Sequence, residues 1–464
     1  MDTFGDGHSF GEVNFGAAEL GDRRRTKRLV KLADQLSRHP GGSLPDKLKS
    51  PADLRALYRL CDCDEVTHEA ILAPHRAVTL ARVQDHGGTL LVIHDATELD
   101  YTSRKSLKDL GQIGNGRGRG YICHNSLVLD PQGGGTVFGL ANQILHRRAT
   151  VPEKETKDRR RRRKSRESRL WMEGTKVLPA EWRLVDVCDR GADTFEFLEH
   201  EAHSGRRFVV RSAHSRAILI GHGDEDQSFH LHAYARSLPT LGMRQFTIRA
   251  QDGQPARKVK LAVSGAPIRV KAPHAKHGEH GNTPLALWVV SVREVNPPCG
   301  TEPLEWILLT NQPAETIDEA CMVIDWYEDR WVIEEYHKGK KTGCGIEKLQ
   351  FTSEDRLQPM IALLSIVTLT LLNLRDASRQ PDATIRLATE IISLDYVRVL
   401  SGWRHKQIHE EWTIHDFFFA LARLGGHQNR KGDKPPGWLV LWRGWTTLQA
   451  MVDGATASRR KKCG

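Results

Sequence analysis

The sequence predicts an α/β protein with a mixed-sheet core in the middle of the chain and helical segments at both ends. Three observations predict it. Apolar runs of strand length fall between residues 89 and 310. Apolar residues at helical spacing dominate before residue 85 and after residue 317. Between them, a Gly- and His-rich stretch with alternating pieces marks a β-rich insertion at about 213–305.

The first element is AAELGDRRRTKRLVKLADQLSRHP, with Leu20, Leu29, Leu32 and Leu36 on one helical face and Arg23, Arg24, Arg25, Lys27, Arg28 and Lys31 on the other. PADLRALYRL follows as a second helix, with Pro51 at a first-turn position. TLLVIH (89–94) is an apolar strand ending at Asp95; YICHNSLVL (121–129) alternates; a third strand follows PQGGG at 136–140. Three strands in succession predict an antiparallel meander. RLVDV (183–187) runs into Cys188 and Asp189, and 207–210 is a further strand. QFTIRA, KVKLAV and LALWVVSV supply the insertion, and WILLT (306–310) returns to a buried-strand pattern. A long helix is expected from about Ile317 to Lys341, then a core helix from Met360 to Leu374. RDASRQPDAT (375–384) reads as a linker, and the remainder as helical, with Trp438, Trp442 and Trp445 on one face. The domains expected are 1–70, 71–375 and 376–464.

Lys and Arg total 68 against 58 Asp and Glu, a net charge of +10, which favours a polyanionic partner. The N-terminus lacks a basic-then-apolar signal pattern, and MIALLSIVTLTLLNL (360–374) is short for a bilayer and carries polar residues. A cytoplasmic protein with no membrane role is expected. The eight cysteines are scattered without zinc-site spacing and read as reduced thiols. His274, His277 and His280 tempt a metal reading, but no Cys or carboxylate lies beside them in a Gly- and Lys-rich loop.

The chemistry concentrates on the long helix. At about 100° per residue, Tyr327, Arg330, Glu334, Lys338 and Lys341 fall within roughly 80° of one another. A phenol, three cations and a carboxylate on one stripe suit a phosphodiester. A solvated face with an Arg330–Glu334 ion pair fits the spacing as well. Asp95 and Asp189 each follow a buried strand, where adjacent strands would bring two carboxylates to a sheet edge. Turn chemistry alone also places Asp at strand ends.

YEDRWVIEEYHKGKKTG resembles the Tyr-Arg-Glu-Lys signature of bacterial insertion-sequence transposases of the Tn-five type, in the insertion-sequence-four family; Tyr327, Arg330, Glu334 and Lys341 fit its spacing without a gap. HKGKKTG (337–343), HDATELDY around Asp95, VCDRGAD around Asp189 and FVVRS (208–212) are similar to the family too. The likeness runs from ELGDRRRTKRL to ARLGGHQNRKGDKPPGWLVLWRGW, nearly the whole chain.

The resemblance implies an RNase H-like core with Asp95 on its first strand. It implies Asp95, Asp189 and Glu334 as catalytic acids holding two Mg²⁺ or Mn²⁺ ions. It implies Tyr327, Arg330, Lys341, Lys338 and Arg211 as DNA contacts, and Trp306 as a ring beside a flipped base. Arg23, Arg24, Arg25, Arg28 and Arg59 would contact the transposon end, in a homodimer that synapses two ends of double-stranded DNA. The loop GNGRGRG (114–120) is more Gly-rich than in the type enzyme, so Arg117 and Arg119 are DNA-contact candidates in a segment that also reads as a surface loop. The run Arg159–Lys164 is more basic than its counterpart; it reads as a solvated face or a DNA contact. Glu335, about 100° further round the helix than Glu334, is expected to tolerate substitution better.

Overall fold

The computed structural model describes residues 8–132, 135–148, 156, 166–221, 226–248, 256–273, 280–428, 430 and 436–460. His274, His277 and the Arg159–Lys164 run lie outside the described residues.

Five helices come first: α1 (Phe10–Phe15), α2 (Arg23–Arg38), α3 (Leu44–Leu48), α4 (Pro51–Cys61) and α5 (His68–Asp85). Their starts follow capping rules. Ser9 and Glu12 form a capping box, Asp22 accepts from the Arg24 amide, and Ser50 precedes Pro51 at the first turn. Leu29, Leu32, Ala33 and Leu36 bury the apolar stripe of α2. α5 crosses residue 70, so no break in secondary structure stands there.

Four strands follow: β1 (Leu90–Asp100), β2 (Gly111–Ile113), β3 (Gly118–Asp130) and β4 (Thr136–His146). β1, β3 and β4 form the expected antiparallel meander. Then come α6 (Leu170–Thr175), β5 (Leu184–Cys188), α7 (Phe195–Ala202) and β6 (Arg207–Arg211). β5 pairs parallel with β1, and β6 parallel with β5. β1, β5 and β6 lie in the interior of the sheet, and their residues are buried on both faces. That is why they read as near-continuous apolar runs rather than alternating ones.

The insertion contributes β7 (Ala217–Ile220), β8 (Gln227–His230), α8 (Leu231–Ser237), β9 (Gly242–Ile248), β10 (Arg257–Val270) and β11 (Leu285–Glu294). It is not a separate sheet. β12 (Glu305–Thr310) joins β11 to β6, so all twelve strands belong to one sheet. The order along it is β2-β3-β1-β5-β6-β12-β11-β10-β7-β8, with β4 paired to β3 and β9 paired to β10.

The helix expected over 317–341 is three pieces: α9 (Ile317–Asp329), α10 (Trp331–Lys338) and a π-helical turn over Gly339–Gly343. The apolar segment beyond is α11 (Glu354–Val367) and α12 (Leu369–Arg379). By length and composition Glu354–Arg379 could cross a membrane, but 88% of its most apolar window is buried inside the protein. The linker reading of 375–384 needs correction. Residues 375–379 complete α12, and Arg375 and Asp376 are buried. Polar composition suggested a loop there; ion pairing makes it interior.

The chain ends in α13 (Leu394–His405), α14 (Ile414–Leu424) and α15 (Trp438–Arg460). Trp438, Trp442 and Trp445 are buried in the core, with Trp445 stacked on Tyr396 at 5.0 Å. The seven described cysteines are free thiols. His280 packs edge-on against Phe195, with its Nδ1 2.9 Å from the Gly281 carbonyl.

Candidate active site

The register of the central strands builds the site. His94 of β1 lies opposite Cys188 of β5, the last pair of the parallel ladder. Asp95 and Asp189 are the next residues on each strand, so they leave the ladder side by side. The strand-end reading of Asp95 needs one correction: β1 continues to Asp100, because β3 still pairs with it. What ends at Asp95 is the parallel half of its pairing.

Asp189 also does the turn chemistry that any strand-end Asp can do. Its Oδ1 accepts from the Gly191 amide at 2.9 Å and caps the turn Arg190–Ala192. Gly191 is required there by space. A Cβ on it would lie 2.3 Å from the Trp171 ring.

Behind the two acids, on the opposite face of the sheet, a buried polar group fixes the strands. His94 Nε2 lies 2.8 Å from Asp186 Oδ1, and Arg206 Nε donates to Asp186 Oδ2 at 2.6 Å. Ser126 of β3 bonds the other His94 ring nitrogen at 3.0 Å. Thus β3, β1, β5 and the residue before β6 are tied together directly under the site.

The third acid comes from α10. Arg330, in the turn between α9 and α10, spans two carboxylates: Nη1 donates to Asp95 Oδ2 at 3.0 Å and Nη2 to Glu334 Oε1 at 3.1 Å. The intrahelical Arg330–Glu334 pair therefore exists, and the same guanidinium reaches the sheet.

Burial pushes the Asp95 carboxyl up to about 7, with the Asp189 charge adding to it; Arg330 opposes and Glu334 reinforces the rise. Burial likewise raises Asp189, while the Gly191 amide and Arg330 pull it down and Glu334 pushes it up. The acids feel one another, and one guanidinium does not neutralise them.

Among the described residues, one group of acids and imidazoles could share a cation: Asp95, Glu334 and His337, with ligand atoms all within 4.8 Å of one another. Oxygen donors in an undercompensated acidic site fit a hard divalent ion. His337 was quoted in the sequence motif without a role. It is buried, and its Nε2 lies 3.1 Å from Asn125 Nδ2. Asn125 stands opposite Asp95 in β3, and its Oδ1 accepts from Gln143 at 2.8 Å and Lys340 at 3.0 Å. With Oδ1 so engaged, the amide nitrogen faces His337, which must accept through Nε2. Asn125 and Gln143 gave no signal in the sequence, because a polar residue inside a central strand has no pattern of its own.

The cationic stripe is partly as expected. Lys338 is exposed beside Glu334 on α10. Lys341 sits past the helix. The π-helical turn takes it off the 100° phase, and its Nζ lies 3.5 Å from Glu347, whose Oε1 accepts from the Asp100 amide at 3.0 Å. Gly343 closes this turn against α12 and α15; a Cβ would lie 2.6 Å from Leu371. Tyr327 is buried rather than on an open face.

Tyr327 and Arg330 line a cavity of about 510 Å³ with Arg211, Arg244, Gln245, Phe246, Trp306 and Trp331 among its walls. Trp306 is held edge-to-face between Phe246 at 5.5 Å and Tyr327 at 5.3 Å. The Arg211 guanidinium donates to the Glu305 carbonyl at 3.1 Å, and its charge lowers the Asp189 carboxyl. Phe246 and Arg244 come from β9, which sequence reasoning placed only as part of the insertion.

The other arginine candidates lie apart from the acids. Arg23, Arg24 and Arg28 are exposed on α2, and Arg59 is exposed on α4. Arg24 pairs with Asp22 at 3.0 Å. Arg25 is half-buried, bonded to Glu65 at 2.7 Å and to the Leu20 carbonyl at 2.8 Å. Arg117 is exposed, while Arg119 donates to the Lys108 carbonyl at 2.6 Å.

The family model for transposase DNA-binding domains matches residues 8–66. Residues 8–66 thus resemble a transposase DNA-binding domain. That match supports a DNA-binding transposase, and it spans α1 to α4 with their exposed arginines. The domain docks beside the candidate site. Lys47 is buried and donates to the Pro40 carbonyl, to that of Gly42 at 2.9 Å and to that of Cys344 at 3.0 Å, just past the turn that carries Lys341.

Proposed function

We propose that the chain is a metal-dependent DDE transposase of the Tn-five type that moves DNA by cut-and-paste, with Asp95, Asp189 and Glu334 as its catalytic acids. One observation carries the reading. The β1–β5 register and helix α10 bring three acids from distant parts of the chain to one place on the sheet, beside a cavity lined by arginines and aromatic rings.

The order β4-β3-β1-β5-β6, antiparallel through β1 and parallel beyond it, supports an RNase H-like core. Two Mg²⁺ or Mn²⁺ ions on the acids would activate the attacking oxygen and stabilise the leaving one. The chain's own cations do the rest. Arg330, Lys338, Lys341 and Arg211 neutralise phosphate charge around the scissile bond, and Tyr327 offers a phenol to the backbone. The cavity wall of Trp306, Tyr327 and Trp331 accepts an unstacked base when the strand bends.

In this scheme water first frees a 3′-hydroxyl at each transposon end. That hydroxyl attacks the opposite strand to give a hairpin, a second water reopens it, and the 3′ ends join target DNA. Residues 8–66 read the end sequence, with Arg23, Arg24 and Arg28 on the exposed face of α2 as phosphate contacts. Two copies synapse two ends.

The test uses the DNA that flanks the gene: the proposal requires short inverted repeats there, and these supply the ends. With Mg²⁺, the full chain should cut at the repeats and leave an unrelated duplex of equal length intact at the same salt. Equal cutting of both would make it a nuclease without end recognition.

A further inference from the structure

Arg330 occupies the ground between the two carboxylates that the proposed function assigns to a metal. Its two terminal nitrogens take Asp95 Oδ2 and Glu334 Oε1, oxygens of the two acids in the candidate cation cluster. The bridge is well buried, with 15% of the Arg330 side chain exposed. On its other side the guanidinium faces the aromatic cavity, its carbon 6.0 Å from the centre of the Tyr327 ring.

We propose that Arg330 is a resident cation that exchanges places with the divalent ion: it pairs with Asp95 and Glu334 in the metal-free protein and is released toward the cavity, where a DNA phosphate receives it. This rests on the transposase reading and adds a regulation to it. A divalent ion drawn to the same oxygens repels a guanidinium bonded to them. The guanidinium cannot leave for the cavity without a partner, because a buried unpaired charge is strongly unfavourable, and the carboxylate in the cavity wall, Glu328, already pairs with Arg244 at 2.9 Å. A phosphate in the cavity supplies that partner, with the bidentate geometry Arg prefers. Metal and DNA backbone then each raise the affinity for the other, and by linkage the coupling is reciprocal. Metal-free protein has its acids capped, and DNA-free protein holds metal weakly.

The experiment measures Mn²⁺ binding to the full chain by the loss of free-ion EPR signal, with and without a 20-base-pair duplex of arbitrary sequence. D95N defines the background. Wild type should bind Asp95-dependent Mn²⁺ weakly alone and about tenfold more tightly with the duplex. R330Q should bind it about tenfold more tightly than wild type without DNA and gain little from the duplex. R330K, whose single ammonium reaches one carboxylate at a time, should fall between, and thermal melting verifies that each variant is folded. If R330Q and R330K bind Mn²⁺ no more tightly than wild type while wild type shows the Asp95-dependent site, the exchange is wrong and the acid assignment stands. If wild type shows no Asp95-dependent Mn²⁺ under either condition, the acid assignment falls, and the exchange with it.

Discussion

Glu335 accepts from Arg375, a buried arginine of α12 that also bonds Asp376. Its neighbour Glu334, about 100° round the helix, faces Asp95 across Arg330. Two adjacent acids on α10 therefore have separate tasks: one builds the site, and the other anchors the helix that carries it. The helical wheel separates their directions, and the bond to Arg375 weighs against the expectation that Glu335 tolerates substitution better than Glu334. Nothing in the local sequence shows that a buried arginine lies 40 residues away.

E335A should destabilise the protein by roughly 1–3 kcal/mol, because a buried guanidinium loses one of its two carboxylates and keeps only Asp376. E334A removes a site acid that is partly exposed and should cost under about 1 kcal/mol. Urea unfolding of the two variants beside wild type checks the order.

The acids should make the metal-free protein less stable as pH rises. Burial raises Asp95 to about 7 from an ordinary 3.8, so the folded state binds the proton more tightly than the unfolded chain. Stability then falls from about pH 4 up to about pH 7 and levels off above it. D95N removes this cost. It should unfold later than wild type at pH 8 in EDTA, by on the order of 2 kcal/mol, with a smaller gap at pH 5.

G191A should harm both packing and the site. The added carbon meets the Trp171 ring at 2.3 Å, and the turn it displaces donates to Asp189. A loss of roughly 1–3 kcal/mol is expected on unfolding, with a larger loss of cleavage than of DNA binding.

On α2, exposure separates the arginines proposed to contact DNA from the one that holds the domain. R28A should weaken end binding and lower the slope of log affinity against log salt by about 1. R25A should instead lower the melting temperature, since its guanidinium bonds Glu65 and the Leu20 carbonyl. Fluorescence anisotropy over a salt series and thermal melting read the two effects.

Much of the architecture was legible because it rests on local pattern. The meander of β1, β3 and β4 and the strand before Asp189 follow from apolar runs, and α2 from its leucine stripe. What escaped depends on partners distant in sequence. The insertion was legible as β-structure, but nothing local shows that β11 pairs with β12 and so extends the central sheet. The π-helical turn at Gly339–Gly343 is set by packing on α12 and α15, which a 3.6-residue wheel does not contain. The three acids were found through motif resemblance, while Asn125 and His337 became visible only when β3 was seen to face α10.

The most direct test of the central claim is strand cleavage at the element's own ends by D95A, D189A and E334A, each measured beside its binding to the same DNA. The account predicts end binding close to wild type and cleavage lowered at least a thousandfold in all three. Cleavage at the wild-type rate by any one of them would contradict it.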